Sequence, residues 1–179
     1  MAGAGAEEVV RQALAHADGL YNFARWLCRD PLEAEDLVQE TYARALGAAQ
    51  QFEAGSNLKA WLFRILRNAF LDRRRRSQRA ANPDSLEETG ADAEPADGPT
   101  SELEQGQIRA LVADDVASAV RALPEAFRTV ILLDLEGMTE PEVASVLGCA
   151  AGTVKSRLSR ARALLRERLA AYRPEPGAC

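Results

Sequence analysis

The sequence predicts an all-α protein: two small helical domains joined by a flexible acidic linker. Three observations carry this. Apolar residues recur at spacings of three and four through most of the chain, the period of a helix with one buried face. Alternating strand patterns are absent, and the only β-prone run, "TVILLDL" at 129–135, lies inside a capped helical window. The charge is also partitioned. Residues 1–80 carry net +2, residues 81–120 net -9 and residues 121–179 net +2, within a total of -5.

Bulk properties exclude several classes. A chain of 179 residues, 47% hydrophobic and 27% charged, is of a soluble globular type. It has no run near the roughly 20 apolar residues a membrane helix needs. Its start, "MAGAGAEEVV", lacks the basic and apolar regions of a signal peptide. The expectation is a cytoplasmic protein with no membrane insertion of its own. Cys28, Cys149 and Cys179 are far apart and odd in number, and the single histidine is His16. Neither a disulfide framework nor zinc spacing results. No Gly-rich phosphate loop or nucleophile pattern occurs, so no enzyme activity, metal or cofactor is expected.

The first domain, residues 1–79, reads as helical throughout. Residues 7–28 form one helix with Val10, Leu14, Leu20, Tyr21, Ala24, Leu27 and Cys28 apolar. "DPLE" then starts a second helix that runs to about Ala49. Asp30 can cap it, Pro31 fits its first turn and Glu33 can close a capping box. Its buried face carries Leu37, Val38, Thr41 and Ala45. "FEAGSN" is a loop, and Ser56 or Asn57 caps a third helix. Leu58, Trp61, Leu62, Ile65, Leu66, Ala69 and Phe70 form its apolar stripe. It ends in "LDRRRRSQR".

Residues 80–100 are rich in Pro, Gly and acids and poor in large apolar residues, the composition of a flexible linker. The second domain, residues 101–173, opens with a helix over 101–122. Another starts at Pro124 and stops at Gly137. Thr139 then caps a short helix, with Glu142 three residues on, and Cys149 falls at the cap position of the last helix. Residues 174–179 are a tail.

"TEPEVASVLGCAAGTVKSRLSRARALLRERL" has a helix-turn-helix layout. Ala144 allows a close helix crossing, Gly148 makes the turn, and Val154, Leu158, Ala161 and Leu165 are the buried side of the second helix. In such a motif the second helix enters the DNA major groove by its N-terminal half. Thr153, Lys155, Ser156, Ser159 and Arg160 are the candidates there. A good bidentate base contact is worth roughly 1–3 kcal/mol of discrimination. The later arginines suit phosphates, which position without specifying sequence.

Two motifs in fixed order add a family resemblance. "DPLEAEDLVQETYARAL" followed by "FEAGSNLKAWLFRILRNAFLDRRRR" resembles region 2 of bacterial sigma-70 factors. "ALPEAFRTVILLDLEGMTEPEVASVLGCAAGTVKSRLSRARALLRERL" resembles their region 4. With only these two domains and a short linker, the chain is similar to the extracytoplasmic-function (ECF) group. The resemblance covers about 7–78 and 101–172. It implies an alternative sigma factor that binds core RNA polymerase and directs promoter-specific initiation, for a stress or envelope regulon.

The resemblance also places roles. Asp36, Gln39 and Glu40 would dock on the β′ clamp helices of the polymerase, and region 4 on the β flap. Phe52, Asn57, Arg64, Arg67 and Asn68 would open the minus-ten element and capture a flipped base. Arg73, Arg74, Arg75 and Arg76 would hold its phosphates, while Trp61 lies on the apolar stripe as a core residue. The final helix would read the minus-thirty-five element of promoter DNA. An anti-sigma factor would wedge between the domains and cover Asp36 to Glu40 and the final helix. Two other readings stand beside this one. A sigma-like decoy for an anti-sigma factor should lose the DNA-reading residues that this chain keeps. A stand-alone helix-turn-helix regulator leaves the first domain unexplained.

Overall fold

A computed structural model describes residues 11–28, 30–53, 55–81 and 105–172, and among them every regular element is helical. The linker expected at 80–100 (from residue 82 on), the tail at 174–179 and the start of the expected first helix lie outside the described residues.

The expected helix over 7–28 is interrupted. Residues 11–14 are helical, a turn follows at Ala15 and His16, and α1 (Ala17–Leu27) begins anew. The N–H groups of Ala15 and His16 bond three residues back, to Gln12 and Ala13, at 3.2 and 3.0 Å. The Tyr42 hydroxyl also donates to the Ala13 carbonyl at 3.2 Å. A distant side chain thus stabilises the break, which local periodicity cannot show. The break leaves Leu14 exposed rather than in the core.

α2 (Pro31–Gly47) starts with Asp30 as cap and Pro31 in the first turn as expected, but the Asp30 side chain accepts from the Leu32 N–H at 3.0 Å and the expected capping box with Glu33 is not formed. Ala34, Leu37, Thr41 and Ala45 are buried. The buried Thr41 hydroxyl donates to the Leu37 carbonyl at 2.7 Å, so no polar group is orphaned there. A 3-10 turn, Ala49–Gln51, leads toward α3 (Leu58–Ala81). Asn57 caps α3, its Oδ1 accepting the Ala60 N–H at 3.0 Å.

The second half contains α4 (Gln105–Arg121), α5 (Glu125–Leu135), α6 (Glu140–Leu147) and α7 (Ala151–Arg168), then a 3-10 turn at Ala170–Tyr172. Thr139 and Glu142 form the capping box of α6, and Gly148 ends the helix in the left-handed region at φ 66°. The cap of α7 is Ala150, not Cys149. Cys149 belongs to the end of α6 instead: its N–H bonds the Ala144 carbonyl at 3.1 Å and it packs against the core. The tight turn after Gly148 uses one more residue than the spacing suggested.

α3 organises the packing. It contacts α1 and α2 of its own half and α6 of the other. Leu62, Leu66, Ala69 and Arg73 follow i, i+4, i+7 and i+11, a row ending in Arg73, which reaches α2. Ala60, Phe63, Arg67 and Arg74 follow i, i+3, i+7 and i+14, a row ending in Arg74, which reaches Glu125 of the second half. Ala60 and Phe63 lie off the predicted stripe, yet both are buried. Phe63 meets Phe23 with ring centroids 5.5 Å apart. One hydrophobic cluster therefore runs through both halves, from Leu20 and Leu37 to Val143, Val154 and Leu158.

Phe63→Ala should destabilise the protein by about 3–5 kcal/mol, the usual loss for a fully buried phenylalanine. Phe63→Leu should cost much less. Urea denaturation of the full chain, comparing midpoints at unchanged slope, checks this.

Candidate nucleic-acid and polymerase interfaces

The expected polymerase residues separate into two kinds. Asp36 and Gln39 are exposed on the outer side of α2. Glu40 turns toward α3. It accepts from Arg73 Nε at 2.6 Å and pairs with Arg44 at 2.7 Å. Arg73 also donates to the Asp36 carbonyl at 3.0 Å, and Arg44 reaches Asp72 at 3.0 Å. Four charged side chains thus fasten α2 to α3. Burial alone would raise the Glu40 carboxyl, but Arg73 and Arg44 outweigh it and hold it below its ordinary value.

The arginine run divides in the same way. Arg73 is tied to α2. Arg74 donates to Glu125 at 3.0 Å. Arg75 and Arg76 keep exposed side chains, with long ion-pair contacts of 4.0 Å to Asp72 and 3.9 Å to Glu40 and, for Arg76, a bond from Nε to the Asp72 carbonyl at 3.3 Å. Those two are the best placed for phosphates. On the same helix Asn57, Arg64, Asn68 and Arg75 follow i, i+7, i+11 and i+18, and all four are exposed. They form one outward row. Arg67 is half-buried at the side of this row. Burial pulls its guanidinium below the ordinary value, and Glu125 partly offsets that. Phe52 is half-buried and packs on Trp61, centroids 5.1 Å apart. Trp61 is itself half-buried, so it forms the edge of the core rather than its centre.

On α7 the division is clean. Val154, Leu158 and Ala161 are buried, whereas Lys155, Ser156, Ser159 and Arg160 are exposed and Thr153 is half-buried. Ser156 donates back to the Thr153 carbonyl at 2.9 Å. Among the later arginines, Arg162 pairs with Asp134 at 2.7 Å and so fastens α7 to α5.

Sequence reasoning missed the carboxylates that meet the first half. Asn57 donates to Glu142, and Lys59 lies 3.3 Å from the Glu136 carboxylate while donating to the Glu136 carbonyl. These partners are 85 and 77 residues apart, and no local pattern links them. The Arg44–Glu40 pair, by contrast, was legible as an i, i+4 spacing. Cys28 and Cys149 are free thiols and half-buried, and burial, then Glu33, pushes Cys28 up to about 11. A thiol so shifted is a poor nucleophile at neutral pH. Among the described residues there is no group of His, Cys, Asp and Glu that could hold a metal, and no helix long and apolar enough to cross a membrane.

The depressed Glu40 value has a pH consequence. Its folded value lies below its ordinary 4.5, so its contribution is complete above about 4.5 and is lost as pH falls through the folded value. Glu40→Gln should therefore lower stability by roughly 1 kcal/mol near neutrality, the scale of partly exposed charge-assisted pairs. The gap from wild type should close in melts taken at progressively lower pH.

The comparisons agree with this geometry. The sigma-70 region 2 family matches residues 13–80, and the sigma-70 region 4 family matches residues 113–165. The ECF RNA polymerase sigma factor SigE of Mycolicibacterium smegmatis is 38% identical over 173 residues, covering 94% of this chain. The matched part is 63% of that relative's length. EcfG of Rhodopseudomonas palustris is 38% identical over 153 residues, covering 85% of this chain and 80% of EcfG. Among solved structures, the sigma factor RpoE bound to the anti-sigma factor NepR, from Bartonella quintana, has a TM-score of 0.67 at 36% identity. It covers 91% of this chain and 97% of its own. CnrH in complex with the cytosolic domain of CnrY has a TM-score of 0.63 at 28% identity, covering 93% and 95%. With both regions matched in order and a relative covered over most of its length, the chain belongs to the ECF group of the sigma-70 family.

Proposed function

We propose that this chain binds core RNA polymerase in the cytoplasm and directs initiation at a specific set of promoters. The observation that carries the reading is α7. Its apolar side is locked into the second half, while Lys155, Ser156, Ser159 and Arg160 stand exposed on the helix of a helix-turn-helix. Ala150 supplies no side-chain cap. That leaves first-turn N–H groups of α7 suited to a phosphate. These groups would read the minus-thirty-five element.

The outward row on α3 would engage the opened minus-ten element. Asn68 offers an amide edge to a flipped base, and Arg64, Arg75 and Arg76 neutralise phosphates. Asp36 and Gln39 would meet the polymerase β′ clamp helices directly. Glu40 would act by fixing α2 against α3. An anti-sigma factor is the proposed inhibitory partner, as the Bartonella quintana relative was solved with one. With α3 already packed on α6, this partner would cover the outer faces of the chain rather than fill a gap between the halves.

The test is promoter-directed transcription with purified core polymerase. Asp36→Ala with Gln39→Ala should weaken core binding and leave the thermal melt unchanged. Lys155→Ala and Arg160→Ala should weaken promoter binding by the holoenzyme. A residue that reads a base should cost roughly 1–3 kcal/mol on removal and relax one promoter position, whereas one that binds a phosphate should lower the salt slope by about 1. No binding to core would leave the decoy reading. Tight, specific promoter binding without core would favour the lone regulator.

A further inference from the structure

The buried row of α3 stops at Ala69. Beyond it no described side chain of this helix is buried: Phe70 to Arg74 are half-buried, and Arg75 to Arg79 are exposed. Directional polar bonds to α2 therefore set how this end of the helix lies. Asp36, Glu40 and Arg44 follow i, i+4 and i+8 on α2, a row about 12 Å long. Arg73 donates to the Glu40 carboxylate at 2.6 Å and to the Asp36 carbonyl at 3.0 Å. Arg44 lies between two carboxylates, 2.7 Å from Glu40 on its own helix and 3.0 Å from Asp72 on α3. Asp72 in turn meets the arginines beyond it. Its carbonyl accepts from Arg76 Nε at 3.3 Å, and its other carboxylate oxygen lies 4.0 Å from Arg75.

Each of these four charged side chains keeps part of its surface in water, from 24% at Glu40 to 44% at Asp72. Pairs so exposed contribute little to stability. Their bonds are directional, however. A planar guanidinium that spans two carboxylates fixes an angle, which a point charge does not. The docking residues Asp36 and Gln39 share α2 with Arg44, and Arg75 and Arg76 follow Asp72 on α3. We propose that Arg44 and Asp72 are positioning residues for promoter opening, which carry the pose of the polymerase-docked α2 to the outward row of α3. The role rests on the proposed docking of α2 and on the promoter assignment of α3. It gives Arg73 the same use, through a neighbouring bond, in place of the phosphate contact expected from the sequence. Neither Arg44 nor Asp72 needs to touch polymerase or DNA.

The test sets affinity for purified core polymerase beside promoter opening by the holoenzyme. Opening is read as permanganate reactivity of unpaired thymines, on a promoter fragment that the wild-type holoenzyme transcribes. Arg44→Ala should leave the affinity for core within about twofold of wild type, because Asp36 and Gln39 stay in place on α2. At saturating core it should lower opening by about tenfold, within the range of coupling inside one ion-pair network. Asp72→Asn should do the same. The double variant should be no worse than either alone, since each substitution breaks the same bridge. Arg44→Lys restores the charge but cannot span both carboxylates, so opening should stay low. Opening at the wild-type level in Arg44→Ala or Asp72→Asn overturns the proposal. A core affinity that falls in step with opening also overturns it, by making Arg44 a docking residue. Losses that multiply in the double variant, or full recovery in Arg44→Lys, count against it equally. A wild-type chain that fails to bind core, or binds core and opens no promoter, would instead sink the proposed function itself, and the positioning role with it.

Discussion

The structure depends on the burial of α3 along two rows at once. A surface helix normally buries a single stripe. Here one row packs within the first half and ends in an arginine that grips α2. A second row carries Ala60 and Phe63 into the shared core and ends in an arginine that grips α5. The remaining outward row holds Asn57, Arg64, Asn68 and Arg75. A single rigid helix thereby sets the spacing of the residues proposed to handle an opened promoter. Rigidity comes from packing, which is how a site of separate side chains is held in register.

Charge is used in two physically different ways. Exposed pairs contribute little to stability, typically under about 1 kcal/mol each. The Arg73–Glu40–Arg44–Asp72 group is more enclosed and fixes the angle between two helices. Arg75, Arg76, Lys155 and Arg160 instead remain exposed, as a partner carrying phosphates requires. The net charge of -5 conceals this, because acids are concentrated between the basic segments. Carboxylates of the second half then come to lie against donors of the first, so part of the basic character is neutralised within the molecule.

The sequence by itself determined the helices, most of their caps, and the buried faces of α2 and α7. Each of these follows from contacts within a few residues: Asp30 with Leu32, Thr139 with Glu142, and Val154, Leu158 and Ala161 on one side. It also pointed to the family, because long motifs in both regions resemble those of sigma-70 regions 2 and 4. The break before α1 escaped it, since the hydroxyl of Tyr42 helps to satisfy the carbonyl at the break. So did the burial of Phe63 and the pairing of Asn57, Lys59 and Arg74 with Glu142, Glu136 and Glu125. Only the tertiary structure decided these. Periodicity reports which side of a helix avoids water, but not how many neighbours share that side, nor which distant carboxylate arrives opposite a given donor.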